Sequence, residues 1–216
     1  MYKLIFDFDG TLADTHPLIV ESFLSTAQHY GLKNPNRQWL EDNMGMGLKE
    51  MMQQFIPNLV NYDEAIEFFR NYQMSKFVET VKLFDGVAVG LKILKEKGYQ
   101  MSIFTNKSTR FLAPILTKYN LQLGYFDYII GSEDVNNPKP NPEGILKIAN
   151  LYQTTSQNCI MIGDSYADIL CGQNAGVKTI AITHNNLPFS IKTIESRADF
   201  YADNFKELVR FLQMEL

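Results

Sequence analysis

Cysteine is scarce in this 216-residue sequence, which contains two of them, Cys159 and Cys171. There is no Cys-x-x-Cys pair and no cluster of cysteine with histidine, and this argues against a zinc site. Cys159 lies in an apolar, strand-like run and Cys171 in a helix-like segment. We therefore predict two buried free thiols, the ordinary state of cysteine in a reducing compartment.

The sequence also lacks an excess of basic charge and a long apolar run. It has 20 Lys and Arg against 24 Asp and Glu, a formal net charge of −4, whereas general nucleic-acid binders usually carry a basic surface. No window approaches the roughly 18 apolar residues of a membrane span. Asp7 and Asp9 interrupt the stretch where a secretory signal would be continuously apolar. We expect a cytoplasmic enzyme that binds neither nucleic acid nor membrane.

Hydrophobic periodicity divides the chain into two kinds of segment. Residues 14–81 carry apolar positions at helical spacing, whereas short apolar runs alternate with helix-like segments from Leu83 onward. Strands separated by helices indicate parallel βαβ units. We predict an α/β fold with a three-layer, Rossmann-like core and a parallel sheet, formed by residues 1–13 and 82–216. Residues 14–81 are predicted to be a helical cap inserted after the first strand.

Several local signals refine this prediction. Glycines at 45 and 47 predict a bend within a helical stretch that runs from about residue 36 to 55. Ser108 is predicted to cap a helix that Pro114 kinks or delays, and Asn141 to cap another that opens with Pro142.

The first strand ends in two carboxylates. The run from Leu4 to Phe8 is apolar except for Asp7, and Asp7 and Asp9 stand at its end, before a Gly-Thr turn. An Asp-Gly turn after a strand is the simplest interpretation of these residues. However, two carboxylates so close together repel each other unless a cation holds them. A divalent metal ion together with a phosphate ester would use both.

Polar residues also follow the later strands. Thr105 and Asn106 follow one apolar strand, and Asp164 follows another, with Asp168 one helical turn later; Lys139 lies in a proline-rich loop. Singly, they fit turn residues, the start of a helix and a solvated lysine. Because ligands of parallel sheets bind beyond the carboxyl ends of the strands, their joint occurrence there predicts a single polar site.

These motifs, in this order, resemble those of the haloacid-dehalogenase-like hydrolase superfamily. The matching elements are Asp7-x-Asp9-Gly-Thr, Thr105 after a strand, Lys139-Pro, and Gly163-Asp164 followed by Asp168, and they span nearly the whole chain. A helical cap between the first two motifs resembles the branch of phosphoglycolate phosphatase and β-phosphoglucomutase.

The resemblance implies a role for each acidic residue. Asp7 would be the nucleophile that forms an aspartyl-phosphate. Asp9 would protonate the leaving oxygen and then take a proton from the attacking water. Mg²⁺ would be held by Asp7, by the backbone carbonyl of Asp9 and by Asp164, with Asp168 as a ligand either directly or through water.

The resemblance also implies phosphate and substrate contacts. Thr105 and Asn106 would donate hydrogen bonds to phosphate, as would backbone N–H groups near Gly10 and Thr11. Lys139 would place a positive charge against both Asp7 and the phosphate.

In the cap, Gly45 and Lys49 lie where relatives contact the leaving group. Lys49 could meet a substrate carboxylate, as in phosphoglycolate, but a solvated lysine is the simpler interpretation.

The reaction type follows from positions that differ within the superfamily. Dehalogenases and phosphonate-cleaving members lack the second aspartate, so Asp9 favours hydrolysis of small phosphomonoesters. A mutase is a second interpretation, although Ile19 stands where the mutase branch carries a histidine. A phosphorylated receiver module without turnover is a third, and the helical insert argues against it. The sequence leaves open the substrate (phosphoglycolate, a sugar phosphate, a nucleotide or pyrophosphate) and the choice between a monomer and a small homo-oligomer.

Overall fold

The structure, a computed structural model, describes residues 2–44, 46–121, 124–184 and 197–215. The strands are β1 (Lys3–Phe6), β2 (Ala13–Asp14), β3 (Lys82–Leu83), β4 (Gln100–Phe104), β5 (Tyr128–Ile130), β6 (Cys159–Gly163), β7 (Lys178–Ile182) and β8 (Phe200–Ala202). The helices are α1 (His16–His29), α2 (Arg37–Asp42), α3 (Leu48–Phe55), α4 (Tyr62–Thr80), α5 (Val87–Glu96), α6 (Leu112–Lys118), α7 (Glu143–Leu151), α8 (Tyr166–Ala175) and α9 (Phe205–Glu215). Among these described helices, none has the length and apolar character needed to cross a membrane.

Six of the described strands form one parallel sheet in the order β5-β4-β1-β6-β7-β8. β1 lies between β4 and β6, and its Ile5 pairs with Ser102 on one side and Met161 on the other. All three strands run in the same direction, so their carboxyl ends meet at one edge of the sheet. The sheet confirms the predicted α/β fold. Asp7, Thr105 and Asp164 each directly follow one of these three strands and therefore lie at this edge.

Helices cover both faces of this sheet, which explains why its central strand is apolar from Leu4 to Phe6. Successive side chains of a strand point to opposite faces. Ile5 belongs to a buried cluster with Ile145 of α7 and Cys171 of α8, while the ring of Phe6 stacks on Phe205 of α9, with 6.0 Å between centroids. The three layers predicted from the sequence are therefore present.

Both cysteines are buried free thiols, as predicted. Burial raises the pKa of the Cys159 thiol to about 11 and that of the Cys171 thiol to about 12. Both thiols therefore stay protonated at neutral pH. A protonated, buried thiol is a poor nucleophile, so these residues serve as core packing.

The chain forms two compact units, residues 1–14 with 82–216, and residues 15–81. The second unit is helical and has its own core, in which Phe23 contacts the rings of Phe55 and Phe69 at centroid distances of 6.0 and 4.7 Å. The stretch predicted as helical from residue 36 to 55 is divided into α2 and α3, in agreement with the predicted bend. Gly45 itself lies outside the described residues.

The first unit contains both connections to the helical segment. β2 and β3 pair as antiparallel strands, with Ala13 opposite Leu83 and Asp14 opposite Lys82. Asp14 was assigned to the helical segment from the sequence. The structure places it in β2 instead, because its backbone pairs with β3 rather than continuing into α1.

Two helix starts differ in detail from the sequence prediction. α6 begins at Leu112 after a short 3-10 helix, Thr109–Phe111, so Pro114 falls in its first turn and the predicted delay is present. Ser108 makes no capping hydrogen bond to this segment; its hydroxyl donates to Glu133 Oε1 at 3.3 Å. α7 begins at Glu143, with Pro142 as its N-cap rather than its first residue. The side chain of Asn141 accepts from the N–H of Glu143 at 3.0 Å.

Candidate active site

A lysine ammonium lies between two buried carboxylates at the carboxyl edge of the sheet. Lys139 Nζ donates to Asp7 Oδ1 at 2.7 Å and to Asp168 Oδ1 at 2.5 Å. It also donates to the carbonyl of Phe104 at 3.1 Å. The three ionisable side chains are 3, 9 and 0% exposed, respectively. Charge-assisted hydrogen bonds are strong in such a dry setting, so these contacts fix the position of all three groups.

Asp7 and Thr105 are fixed because each extends its strand by one residue. The N–H of Asp7 donates to the carbonyl of Ile162 at 2.8 Å, and the N–H of Thr105 donates to that of Ile130 at 3.0 Å. Thr105 is 1% exposed and its Oγ1 accepts from the N–H of Lys107 at 3.2 Å. The hydroxyl proton of Thr105 remains available for donation.

The backbone of Lys139 is held by Asn106. The amide oxygen of Asn106 accepts from the Lys139 N–H at 2.8 Å, and its Nδ2 donates to the Lys139 carbonyl at 3.2 Å. Asn106 therefore joins the end of β4 to the loop that carries the lysine. The predicted donation of this amide to phosphate would have to replace its contact with the Lys139 carbonyl.

Asp164 is held by the loop that follows the first strand. Thr11 Oγ1 donates to Asp164 Oδ1 at 2.7 Å. Gly10 lies so close that a Cβ built on it would be 2.1 Å from Asp164 Oδ2, and its φ of +79° also favours glycine. The Asp-Gly-Thr sequence thus lets the first loop approach the end of β6 closely.

Asp168 is both an anchor for Lys139 and part of a helix cap. Its Oδ2 accepts from the backbone N–H of Ser165 at 3.0 Å and from the Ser165 hydroxyl at 2.6 Å. Ser165 and Asp168 form a capping box at the start of α8. Both oxygens of Asp168 therefore already accept hydrogen bonds.

The site carries more negative than positive charge. Three carboxylates surround one ammonium, an excess of two negative charges when all are ionised. Burial, reinforced by the charge of Asp168, raises the pKa values of Asp7 and Asp164 to about 8. Burial alone would lower the pKa of Lys139, but the carboxylates of Asp168 and Asp7 outweigh it and raise that pKa. The lysine therefore stays charged.

These acidic residues fit a divalent cation. Ligand oxygens of Asp7, Asp164 and Asp168 all lie within 4.8 Å of one another. Carboxylate oxygens are the ligands that Mg²⁺ prefers, and its charge would offset the excess negative charge. Because both oxygens of Asp168 are engaged, Asp7 and Asp164 fit direct coordination better than Asp168 does.

The second carboxylate of the first motif has a partner that was not predicted from the sequence. Lys107 Nζ donates to Asp9 Oδ2 at 3.1 Å, and the lysine side chain is 7% exposed. Asp9 Oδ1 is buried and has no hydrogen-bond partner within the described ranges. The sequence gave one signal for this contact: Lys107 follows Thr105 and Asn106, the predicted phosphate-binding turn.

Gly10, Lys49 and Gly45 were also predicted to contact the substrate. The N–H of Gly10 donates to the carbonyl of Ala13 at 2.9 Å, so it is engaged within its own loop rather than available to phosphate. Lys49 is an exposed residue of the helical unit and pairs with Asp63 at 3.4 Å. Gly45 lies outside the part of the chain that the structure describes.

Comparisons with known proteins match this combination of motifs and fold. The family model described as "Haloacid dehalogenase-like hydrolase" matches residues 4–182. "Pyrophosphatase PpaX" of Anoxybacillus flavithermus is 34% identical over 218 residues, covering 97% of this chain and 95% of that protein. The Listeria monocytogenes serotype 4a protein of the same name is 32% identical over 204 residues, covering 93% of this chain and 89% of that protein.

Solved structures show the same fold at lower sequence identity. The crystal structure titled "predicted phosphoglycolate phosphatase from haemophilus somnus 129pt" aligns with a TM-score of 0.88 at 22% identity. The alignment covers 99% of this chain and 98% of that one. At this identity the likeness establishes the fold alone.

Proposed function

Because the chain belongs to the haloacid-dehalogenase-like hydrolase family, we propose that it is a Mg²⁺-dependent phosphatase of small phosphorylated metabolites. The observation that carries this proposal is the position of Lys139 between Asp7 and Asp168 at the carboxyl edge of the sheet. A buried, permanently charged ammonium beside a carboxylate suits the transfer of a dianionic phosphoryl group. The pyrophosphatase names of relatives at 30% identity or more support phosphoryl transfer to water.

Asp7 is the proposed nucleophile. One of its oxygens attacks phosphorus, the bond to the leaving oxygen breaks, and an aspartyl-phosphate forms. Covalent catalysis divides one difficult displacement into two easier ones. The contact with Lys139 and the backbone hydrogen bond to Ile162 hold this carboxylate in place, so little reorganisation is needed when the substrate arrives.

Asp9 is the proposed acid and base. It donates a proton to the departing oxygen in the first step and removes a proton from the attacking water in the second. Hydrolysis then releases phosphate and restores the Asp7 carboxylate. Asp9 Oδ1, which accepts from no residue that the structure describes, is the oxygen that suits this exchange.

Mg²⁺ would supply a positive charge that offsets repulsion between Asp7 and the anionic substrate. Asp7 and Asp164 would hold it with the backbone carbonyl of Asp9, and Thr11 orients Asp164 for this purpose. Asp168 would contribute by fixing Lys139, or as a ligand through water. Thr105 would donate its hydroxyl proton to a phosphate oxygen, as would the N–H of Thr11.

The names of the relatives suggest which substrates to test first. Pyrophosphate follows from the curated relatives, and phosphoglycolate, sugar phosphates and nucleotides are the other compounds that the motifs admit. All carry a terminal phosphoryl group on a small anionic or polar leaving group. Release of inorganic phosphate from each compound, measured with the same enzyme preparation, would rank them.

Turnover of p-nitrophenyl phosphate tests the proposed chemistry independently of the natural substrate. We expect turnover with Mg²⁺, loss of turnover with EDTA and recovery when Mg²⁺ is added in excess. Asp7→Asn should lower turnover by roughly 10⁴-fold or more, while the matched variant Asp85→Asn, at an exposed aspartate of the same unit, should keep it. A receiver module would instead accept a phosphoryl group at Asp7 and show no turnover.

A further inference from the structure

Lys107 reaches Asp9 from the loop that follows β4, and several contacts fix its path. Its N–H donates to Thr105 Oγ1 at 3.2 Å, and its ammonium lies 5.0 Å from the centre of the Phe111 ring. Its Nζ donates to Asp9 Oδ2 at 3.1 Å. A lysine side chain that is 7% exposed has given up most of its hydration and rotamer freedom. An ordinary surface lysine keeps both its hydration and its rotamer freedom.

The two oxygens of Asp9 are in different situations. Oδ2 accepts from Lys107, whereas Oδ1 is buried and no described residue donates to it. A buried carboxylate oxygen without a partner is costly, and such atoms in native structures usually have a functional explanation. Lys107 therefore holds one oxygen, and the other is left for a group that the described residues do not supply.

We propose that Lys107 is a positioning residue that fixes Asp9 through Oδ2 so that Oδ1 carries the proton exchanged with the leaving group. This inference rests on the proposed function, because it assigns a role within the same reaction. A positioning role differs from a structural ion pair in one respect. If Lys107 positions Asp9, the loss of kcat/KM on removing Lys107 should grow with the need of the leaving oxygen for a proton.

The first step transfers one proton from Asp9 to the leaving oxygen. An oxygen of Asp7 bonds to phosphorus as the bond from phosphorus to the leaving oxygen breaks, and the proton on Asp9 Oδ1 passes to that oxygen. Asp9 is then a carboxylate, and the Lys107 ammonium at Oδ2 stabilises the negative charge that it has gained. In the second step a water molecule gives a proton to Oδ1 as its oxygen bonds to phosphorus. The bond between phosphorus and the Asp7 oxygen breaks, which releases phosphate and restores the Asp7 carboxylate.

Two leaving groups that are similar in shape but differ in their need for a proton can distinguish this positioning role from a structural one. A phenol oxygen, like that of tyrosine, holds its proton up to about pH 10, so phenyl phosphate benefits from protonation. p-Nitrophenolate is a stable anion at neutral pH and departs without a proton. The value of kcat/KM reports the steps up to loss of the leaving group, so the ratio between these two substrates measures proton donation.

The experiment compares Lys107→Met with wild type on both substrates at saturating Mg²⁺. We expect Lys107→Met to lower kcat/KM for phenyl phosphate about 10-fold or more relative to its effect on p-nitrophenyl phosphate. This is smaller than the full effect of general acid catalysis, because Asp9 itself remains. Lys107→Arg, which keeps a charged donor, should restore part of the ratio. Lys92→Met, at an exposed lysine of α5, should leave both values unchanged.

Equal losses on both substrates, or a rise in KM without change in the ratio, would overturn the inference, because they indicate a structural role or direct phosphate binding. Thermal unfolding of each variant checks that Lys107→Met folds. A wild-type protein without any Asp7-dependent turnover would instead contradict the proposed function, so the two failures are distinguishable.

Discussion

Thr11 and Asp164 are 153 residues apart in the sequence, yet the hydroxyl of one donates to the carboxylate of the other at 2.7 Å. Thr11 belongs to the loop after β1 and Asp164 follows β6, so this hydrogen bond joins the carboxyl ends of two adjacent strands. The hydrogen bond is buried. Burial and the negative charge of Asp168 both raise the pKa of the Asp164 carboxyl that it holds. Its removal should therefore affect both stability and cation binding.

Thr11→Val replaces the hydroxyl with a methyl group of similar size. We expect the free energy of unfolding to fall by about 2 kcal/mol, because a buried carboxyl group loses a hydrogen bond, and the Mg²⁺ concentration for half-maximal activity to rise. Urea unfolding and Mg²⁺ titration of turnover measure the two effects. Thr11→Ser, which keeps the hydroxyl, should stay near wild type on both; an unchanged Mg²⁺ requirement in Thr11→Val would show that Thr11 does not orient a cation ligand.

The stability of the metal-free protein should depend on pH through Asp7. A carboxyl whose pKa is higher in the folded than in the unfolded state binds its proton more tightly when folded. Its stabilising contribution is therefore lost as the pH rises. For Asp7 the window runs from its ordinary pKa of 3.8 to about 8. Asp7→Asn removes this group.

In EDTA we thus expect wild type to lose stability relative to Asp7→Asn as the pH rises through this window, and Mg²⁺ to remove most of the difference. Urea unfolding at several pH values measures it, with Asp85→Asn as the matched control. Parallel stability curves for wild type and Asp7→Asn, with and without Mg²⁺, would show that ionising Asp7 carries no cost.

Gly144 permits α7 to lie directly on β4. A Cβ built on this residue would be 2.4 Å from the ring of Phe104, whose carbonyl accepts from Lys139. Gly144→Ala should therefore destabilise the protein by about 1–3 kcal/mol through overpacking and lower turnover by shifting Lys139. Gly47→Ala, where a Cβ would meet no atom within 4 Å, is the control for stability. Equal unfolding midpoints for both variants would contradict this close packing.

The fold could be predicted because its signals are local. The apolar run of β1 and the alternation of strands and helices follow from the periodicity of the sequence, and parallel strands necessarily bring Asp7, Thr105 and Asp164 to one edge. Asp14 was misassigned because the pairing of β2 with β3 joins residues far apart in the chain. The close packing of Gly144 against Phe104 is also a tertiary contact, and the periodicity of the sequence does not predict it.

The side-chain contacts of the site were less predictable. Lys107 resembles a solvated lysine in the sequence, and only the folded loop directs its ammonium to Asp9. Asn106 was expected to donate to phosphate, whereas the structure shows it holding the backbone of Lys139. The contact of Ser165 with Asp168 was not predicted, because their capping box depends on the residue at which α8 begins.

The central claim is that Asp7 becomes covalently phosphorylated, and the Asp9→Asn variant tests it most directly. Without the Asp9 base, hydrolysis of the aspartyl-phosphate should slow more than its formation from p-nitrophenyl phosphate, which needs no proton donor, so the intermediate should accumulate. Acid quenching followed by peptide mass spectrometry should then find one added PO₃ group on Asp7, removable by hydroxylamine. Phosphate on another residue, or none on a variant that still releases p-nitrophenol, would contradict the account.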